Sequence, residues 1–186
     1  IYESIIEKID YLNNYYSDIA LVIEKEEFMS PANYLFIRNI TKLYNALNYC
    51  RYNIDKWYEI INEKKRIRVV NLHNNISLDH YLVDKKPYFI SWRASKKNMP
   101  IYDLIGMYKK YYQELDFCEL LRNYESRYPM LPEEKILFFV LISIPEKLEL
   151  IGSEYDKCIK VRNFYNYITI SEKLIIDYLP EKSESL

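Results

Sequence analysis

Residues 66–106 carry the pattern that decides the fold, and they read RIRVVNLHNNISLDHYLVDKKPYFISWRASKKNMPIYDLIG. Three short runs rich in β-branched and aromatic residues lie within this stretch, at 66–72, 80–83 and 88–92, and each is typical of a strand. The polar residues at 84–87 separate the second and third runs and end in a proline, which is typical of a turn. The stretch therefore predicts a strand followed by a β-hairpin.

Apolar residues at helical spacing occupy the chain on both sides of this stretch. Ser30-Pro31 favours a helix start, because serine caps helices and proline suits the first helical position. The predicted helices cover 1–26, 31–49, 54–63, 101–115, 117–124, 132–144 and 154–178. The fold class is therefore mostly α with a small β insert (α+β), with about seven helices and a short hairpin. We expect the helices to support the hairpin, because a lone hairpin is only marginally stable.

Composition describes an ordinary globular chain and excludes several classes of function. A length of 186 residues suits one domain, and the hydrophobic content of 49% with 28% charged residues is that of a folded protein. A net charge of −1 gives no electrostatic basis for binding nucleic acid or an anionic membrane. Without a long apolar span we expect no membrane insertion and a cytoplasmic location, with reduced thiols.

Glycine and cysteine usage narrows the choice of site. Only two glycines are present, which argues against a Gly-rich phosphate-binding loop. The three cysteines form no CxxC pair and lie far from both histidines, so a zinc site is not expected. The 21 tyrosines are interpreted as half-buried packing residues, because tyrosine can pack its ring and keep its hydroxyl in water.

Five polar residues within residues 66–106 occur in a recognisable order. His73 is followed by Asn75 and His80, Ser91 comes after the hairpin, and Asp103 lies in the Asp-Leu pair that opens the next helix. This order resembles the catalytic core of the aminoglycoside phosphotransferase and choline-kinase-like (protein-kinase-like) superfamily, and within it most resembles the spore-coat CotS/YutH group. That family's catalytic loop reads approximately His-Gly-Asp, four variable residues, then Asn.

The resemblance implies a role for each of these positions. His73 matches the motif histidine, Asn75 stands at the catalytic Asp position, and His80 stands at the metal-binding Asn position. Ser91 stands where the family has the Asp that holds magnesium. Asp103 matches the helix-opening Asp, which in the family braces the catalytic loop. By the same resemblance, residues 1–180 are the helical C-terminal lobe, 181–186 are a frayed tail, and a β-rich N-terminal lobe carrying the ATP-contacting Lys precedes Ile1.

These substitutions remove the groups that phosphoryl transfer needs. The reaction relies on carboxylates that hold Mg²⁺ and on an acidic residue that accepts the hydroxyl proton. Asn75 cannot accept that proton, Ser91 offers only a neutral hydroxyl, and the nitrogen of His80 is a poor ligand for a hard cation. A general base alone contributes about 10²–10⁴-fold. We therefore expect a pseudokinase fragment without an intact catalytic or metal site and without a cofactor, whose role is binding or structural, with the spore coat as one setting. Its expected partner is a protein or the missing N-terminal lobe.

Two alternatives remain open. If the register shifts by one residue, Asp79 supplies a substitute carboxylate, and the protein is a divergent small-molecule kinase that uses ATP and magnesium and needs the N-terminal lobe. Asp79 as a solvated turn residue and His73 as a structural histidine are the simpler interpretations. The second alternative is a helical interaction module unrelated to kinases. The absence of a hairpin beside Asp103 would favour that module.

Two further clusters receive ordinary interpretations. Lys64, Lys65, Arg66 and Arg68 form a basic group that we interpret as a solvated face, because acidic residues surround it in the sequence. The aromatic residues at 108, 111 and 112 fit either a groove or helical core packing.

Overall fold

Seven α-helices and four three-residue strands make up the computed structural model, which describes residues 1–64 and 66–179. The helices are α1 Tyr2–Ile23, α2 Pro31–Arg38, α3 Ile40–Glu63, α4 Ile101–Tyr111, α5 Phe117–Arg127, α6 Pro132–Ser143 and α7 Glu154–Tyr178. The strands are β1 Val70–Leu72, β2 Tyr81–Val83, β3 Pro87–Phe89 and β4 Lys96–Asn98. The predicted fold class, mostly α with a small β insert, is confirmed. The predicted frayed tail at 181–186 lies outside the described residues.

The chain divides into two compact units. The first, which we call the helical unit, comprises Ile1–Tyr58 and Ser143–Leu186, and the second comprises Glu59–Ile142. Within the second unit, residues 70–98 contain all four strands, and we refer to them as the β insert. Trp57 belongs to the helical unit and is buried, whereas Trp92 belongs to the β insert and is half exposed.

Aromatic residues organise the core of the helical unit. Phe36 is fully buried, and its ring centroid lies 5.9 Å from that of Tyr16 and 6.1 Å from that of Tyr165. The Tyr165 hydroxyl donates to the Phe36 carbonyl at 2.8 Å. The Tyr16 hydroxyl accepts from the Leu148 amide at 2.8 Å, so that both tyrosines bury their rings without losing the hydrogen bonds of their hydroxyls.

Capping side chains fix where α2 and α7 of this unit begin. Ser30 caps α2 by accepting from the Asn33 amide, and Pro31 occupies the first helical position, as the sequence predicts. Ser153 and Asp156 form a reciprocal capping box at the start of α7. The Ala32 amide, in the first turn of α2, donates to the Glu154 carboxylate at 2.7 Å, and this bond lowers the pKa of Glu154.

The predicted boundary between the helices at 31–49 and 54–63 is wrong. The helix that starts at Pro31 ends at Arg38, and α3 then runs without a break from Ile40 to Glu63. Asn39 separates the two helices, because its backbone leaves the helical conformation and its side-chain amide donates to the Leu35 carbonyl at 2.9 Å. Cys50 and Ile54 lie on the buried face of α3, so the apolar stripe crosses the interval where a loop was expected.

The β insert contains two antiparallel pairs. The β2 and β3 strands form the predicted hairpin, with Leu82 opposite Tyr88, while β1 pairs with β4. The predicted strand at 66–72 is confirmed only for its last three residues. β4 was not predicted, because Lys96-Lys97-Asn98 carries neither β-branched nor aromatic side chains, and its extended conformation depends on pairing with β1.

Candidate functional site

Asp103 holds the start of the loop that follows β1. Its carboxylate accepts two backbone hydrogen bonds of 2.7 Å each, Oδ2 from the His73 amide and Oδ1 from the Asn74 amide. The backbone of Asn74 has a left-handed conformation, with φ of 59°, which asparagine tolerates better than most residues. This turn directs two successive N–H groups at one carboxylate, and such charge-assisted bonds are stronger than neutral ones.

The His73 ring is the buried centre of the site. The residue is only 3% exposed, and Nε2 lies 2.7 Å from the Ile90 carbonyl oxygen. Because a carbonyl oxygen can only accept, Nε2 carries a proton and donates it to this bond. Nδ1 is buried without a hydrogen-bond partner. The ring packs edge-on against Trp92, with centroids 4.8 Å apart. His73 therefore ties the loop to the segment that follows β3.

Asn75 and His80 close the same loop through a single contact. His80 Nδ1 lies 3.0 Å from the backbone carbonyl oxygen of Asn75 and donates to it. The His80 ring centroid is 5.9 Å from that of His73, while Asn75 is exposed to solvent. The structure thus brings Asn75, His80 and His73 together around one turn of the chain.

Ser91 lies between two residues that contact His73. The preceding residue, Ile90, provides the carbonyl that accepts from His73, and the following residue, Trp92, packs edge-on against the ring. Ser91 itself is exposed and has a left-handed backbone with φ of 66°. This conformation is uncommon for serine and orients the two flanking residues toward His73.

Asp79 contacts a second polar group, which the sequence did not reveal. The Ser77 hydroxyl donates to the Asp79 carboxylate at 3.1 Å and lies 2.9 Å from the Tyr111 hydroxyl. The Leu78 amide and Lys110 also donate into this group, to Tyr111 and Ser77 respectively. The hydrogen bond between Tyr111 and Ser77 is the main cause that lowers the pKa of Tyr111, and the bond that the phenol oxygen accepts from the Leu78 amide is the next, because it stabilises the phenolate.

The aromatic run at 108, 111 and 112 contributes mainly to packing. Tyr108 is 1% exposed, and its ring lies 4.9 Å from that of Phe117. Tyr111 is also buried, and its hydroxyl anchors Ser77 and Leu78. Core packing therefore describes Tyr108 and Tyr111 better than a groove does.

A cleft of about 890 Å³ opens beside Asp103. Apolar side chains form most of its wall, among them Leu72, Phe89 and Leu104. Helix α5 contributes Tyr124 and Arg127 on the opposite side. Burial is the main cause that raises the pKa of Tyr124 to about 12, so this phenol stays neutral at ordinary pH.

The basic cluster is only in part the solvated face that the sequence predicted, because Lys64 and Arg66 are exposed but Lys64 and Arg68 pair with buried glutamates. Lys64 Nζ lies 2.5 Å from Glu133 Oε1, and the guanidinium of Arg68 binds both carboxylate oxygens of Glu134. Both glutamates are only 1% exposed. The sequence did not indicate these ion pairs, because the two glutamates lie more than 60 residues from Lys64 and Arg68. Among the described members of the cluster, only Arg66 is exposed and does not pair with a buried glutamate.

The two carboxylates of this region already accept hydrogen bonds from the protein. Asp103 uses both oxygens on backbone amides, and the Asp79 carboxylate accepts from Ser77. Across residues 1–64 and 66–179, no three His, Cys, Asp or Glu side chains group as a metal would require. In the same part of the chain, no helix is both long and apolar enough to cross a membrane. The groups present position the backbone of the loop and the His73 ring.

Comparisons with known proteins find no match: no family model, no curated protein and no solved structure matches this chain. The assignment of a function therefore depends on the residues and contacts described above.

Sequence reasoning missed three groups near the site: Ser77 with Tyr111, the buried Glu133 and Glu134, and the α5 wall of the cleft. By sequence alone, Glu133 and Glu134 are acids in the first turn of a predicted helix, where the helix dipole favours negative charge. Two adjacent acids just after Pro132, with a basic group elsewhere in the chain, were the available signal, although sequence alone does not pair them.

Proposed function

We propose that this chain is a catalytically degenerate lobe of the aminoglycoside-phosphotransferase type, which binds a partner or serves a structural role and does not transfer phosphate. The observation that carries this proposal is the carboxylate of Asp103, which accepts from the His73 and Asn74 amides at 2.7 Å. This is the contact that a bracing residue below the catalytic loop would make. A protein that retains the brace but has no carboxylate at Asn75, His80 or Ser91 has the frame of the site without its acids.

The hairpin also supports this proposal over an unrelated helical module. The hairpin formed by β2 and β3 is present, and Phe89 of β3 lines the same cleft as Asp103. The expected order of loop, hairpin and helix-opening Asp is therefore found within one compact unit. The absence of the hairpin was the observation that would have favoured the module.

An exposed apolar surface supports a binding role. Seven large apolar side chains in and around the hairpin are at least 37% exposed: Leu78, Tyr81, Leu82, Val83, Tyr88, Ile90 and Trp92. They come from 15 consecutive residues, and Val83 reaches 72%. Concentrated exposure of this kind marks interaction surfaces. We infer that a protein partner or an N-terminal lobe covers this surface; a location in the cytoplasm or in a spore coat belongs to this proposal as well.

Nucleotide binding and turnover by the full-length protein test the proposal. We expect no ATP turnover and no Mg²⁺-dependent rise in melting temperature, because a ligand raises the melting temperature only if it binds the folded state. A variant that combines Asn75→Asp, His80→Asn and Ser91→Asp should gain a Mg²⁺-dependent thermal shift with ATP, since it restores the oxygen ligands that the metal prefers.

The matched control for the restored variant is Asn13→Asp with Asn14→Asp, which adds the same two charges at exposed positions of α1. This control should show no shift. Turnover by the parent protein would contradict the proposal, and loss of that turnover in Asp79→Ala would identify a divergent kinase in its place.

A further inference from the structure

A cavity of about 220 Å³ lies within the helical unit. Its walls come from α3 and α7, together with Ser143 at the end of α6. Ala46, Ile168 and Ile175 form apolar parts of its surface. Lys42 and Glu172 also line it and are classed as exposed, so they place charge at the mouth of the cavity.

Ser143 gives this cavity a specific polar feature. The residue is 4% exposed, and its hydroxyl oxygen has no hydrogen-bond partner. Buried hydroxyl groups in native proteins nearly always have a partner, supplied by the protein, by water or by a ligand. A hydroxyl that lines a cavity and lacks a protein partner is therefore available to whatever occupies that cavity.

The other groups of the interior favour a neutral occupant. Burial raises the pKa of Tyr49, which also lines the cavity, to about 12, so the phenol carries no charge at neutral pH. An ion would lose hydration on entering such surroundings, and the two charged residues that line the cavity, Lys42 and Glu172, are exposed to water, which screens their charge. A neutral molecule with an apolar body loses little hydration and gains contact with Ala46, Ile168 and Ile175.

The volume sets the size of the occupant. A dry, apolar cavity of about 150 Å³ is known to hold benzene. A cavity of 220 Å³ therefore accommodates one ring with a few additional atoms, and it has a hydroxyl to pair with one polar group on that ring.

We propose that the cavity between α3 and α7 binds a small neutral molecule that has a single apolar ring and one hydrogen-bonding group, which pairs with the Ser143 hydroxyl. This site and its ligand class are independent of the proposed kinase-like lobe, because every lining residue belongs to the helical unit.

Titration of the full-length protein with phenol and with toluene, followed by methyl NMR, tests this site. The two probes have nearly the same size, and only phenol can hydrogen-bond. We expect the Ile168 and Ile175 methyl signals to shift at millimolar probe concentrations, while the signal of Ile9, which is buried in α1 and does not line the cavity, stays in place. Phenol should bind roughly two- to tenfold more tightly than toluene, as expected for one neutral hydrogen bond.

Ser143→Ala provides the decisive variant, because it removes only a hydroxyl that the protein leaves without a partner and should therefore fold. In this variant phenol and toluene should bind equally. Ser126→Ala, at an exposed position of α5, is the matched control and should keep the preference for phenol. Ala46→Leu should weaken both probes by filling the space.

Three results would overturn the proposal. The first is the absence of any Ile168 or Ile175 shift with either probe. The second is equal binding of phenol and toluene to the parent, which would mean that a water molecule or another group already satisfies Ser143. The third is a phenol preference that survives Ser143→Ala.

Discussion

The helical unit and the β insert are held in place by different kinds of contact. In the helical unit, whole apolar stripes of α1, α2, α3 and α7 are buried. In the β insert only three residues of 70–98 are buried, and two of them, His73 and Ser77, are polar. The first region distributes its stabilisation over many side chains, whereas the second depends on a few hydrogen-bonded anchors. The comparison predicts how each region should respond to single substitutions.

The largest effect is expected in the core of the helical unit. Phe36→Ala should lower the free energy of unfolding by about 3–5 kcal/mol, because it removes a ring that is fully buried between Tyr16 and Tyr165. Denaturant titration measures the change. Phe28→Ala is the matched control, since Phe28 is 85% exposed and its loss should change stability by no more than about 0.5 kcal/mol. Equal effects at the two positions would contradict the burial pattern.

The next effect concerns the ion pairs near the β insert. Arg68→Ala should cost about 3 kcal/mol, because it leaves the Glu134 carboxylate buried without its guanidinium partner. Arg66→Ala, two residues earlier at an exposed position, should be nearly neutral. Combining Arg68→Ala with Glu134→Gln should recover part of the loss in chemical denaturation. If the double variant is as unstable as the sum of the single variants, the two side chains do not act as a pair.

Asp103→Ala tests the anchor of the loop directly. It should lower the free energy of unfolding by about 2–3 kcal/mol, since two backbone amides lose a charged acceptor. Hydrogen exchange should show the loss of protection at the His73 and Asn74 amides, with little change in α7. Asp79→Ala is the control, because its carboxylate accepts only from a side chain, Ser77. Unchanged exchange at His73 and Asn74 would contradict the bracing role.

The smallest change in the free energy of unfolding, counted per pH unit, is expected at alkaline pH and concerns the helical unit. Burial raises the pKa of the Cys50 thiol from 9.0 to about 12. The stabilisation from keeping this thiol neutral is complete below pH 9 and is lost as the pH rises toward 12, because the unfolded chain ionises first. The loss should be roughly 1.4 kcal/mol per pH unit in that window. Cys50→Ala should flatten the decline, while Cys118→Ala, at a half-buried position, should leave it unchanged.

The same contrast explains which elements could be predicted from the sequence. Helix α7 was predicted with its observed bounds, because its apolar residues recur at helical spacing, and in the structure Ser153 caps its start. The hairpin was predicted from its aromatic and β-branched strands around a polar turn. In these elements local sequence and tertiary structure agree, which is the usual condition for a correct prediction.

Elements that depend on distant partners were not predictable. β4 is extended because it pairs with β1, about 25 residues earlier, and its own side chains favour no strand. Arg68 pairs with Glu134. Of the strand predicted at 66–72, only the last three residues therefore form β1. Around the candidate site, the residues near His73 could be named from their order, but the contacts of Ser77 with Tyr111 could not.

The two tryptophans give this chain an internal pair of optical reporters. The sequence contains only two, and each compact unit holds one of them. Trp57 is 4% exposed and should emit at shorter wavelengths, whereas Trp92 is 51% exposed and should emit nearer the wavelength of indole in water. Trp92 also lies against the His73 ring, with centroids 4.8 Å apart, so quenching by that ring reports on the loop itself. With Trp57→Phe and Trp92→Phe, ordinary fluorescence can follow the melting of each unit separately, without any added label.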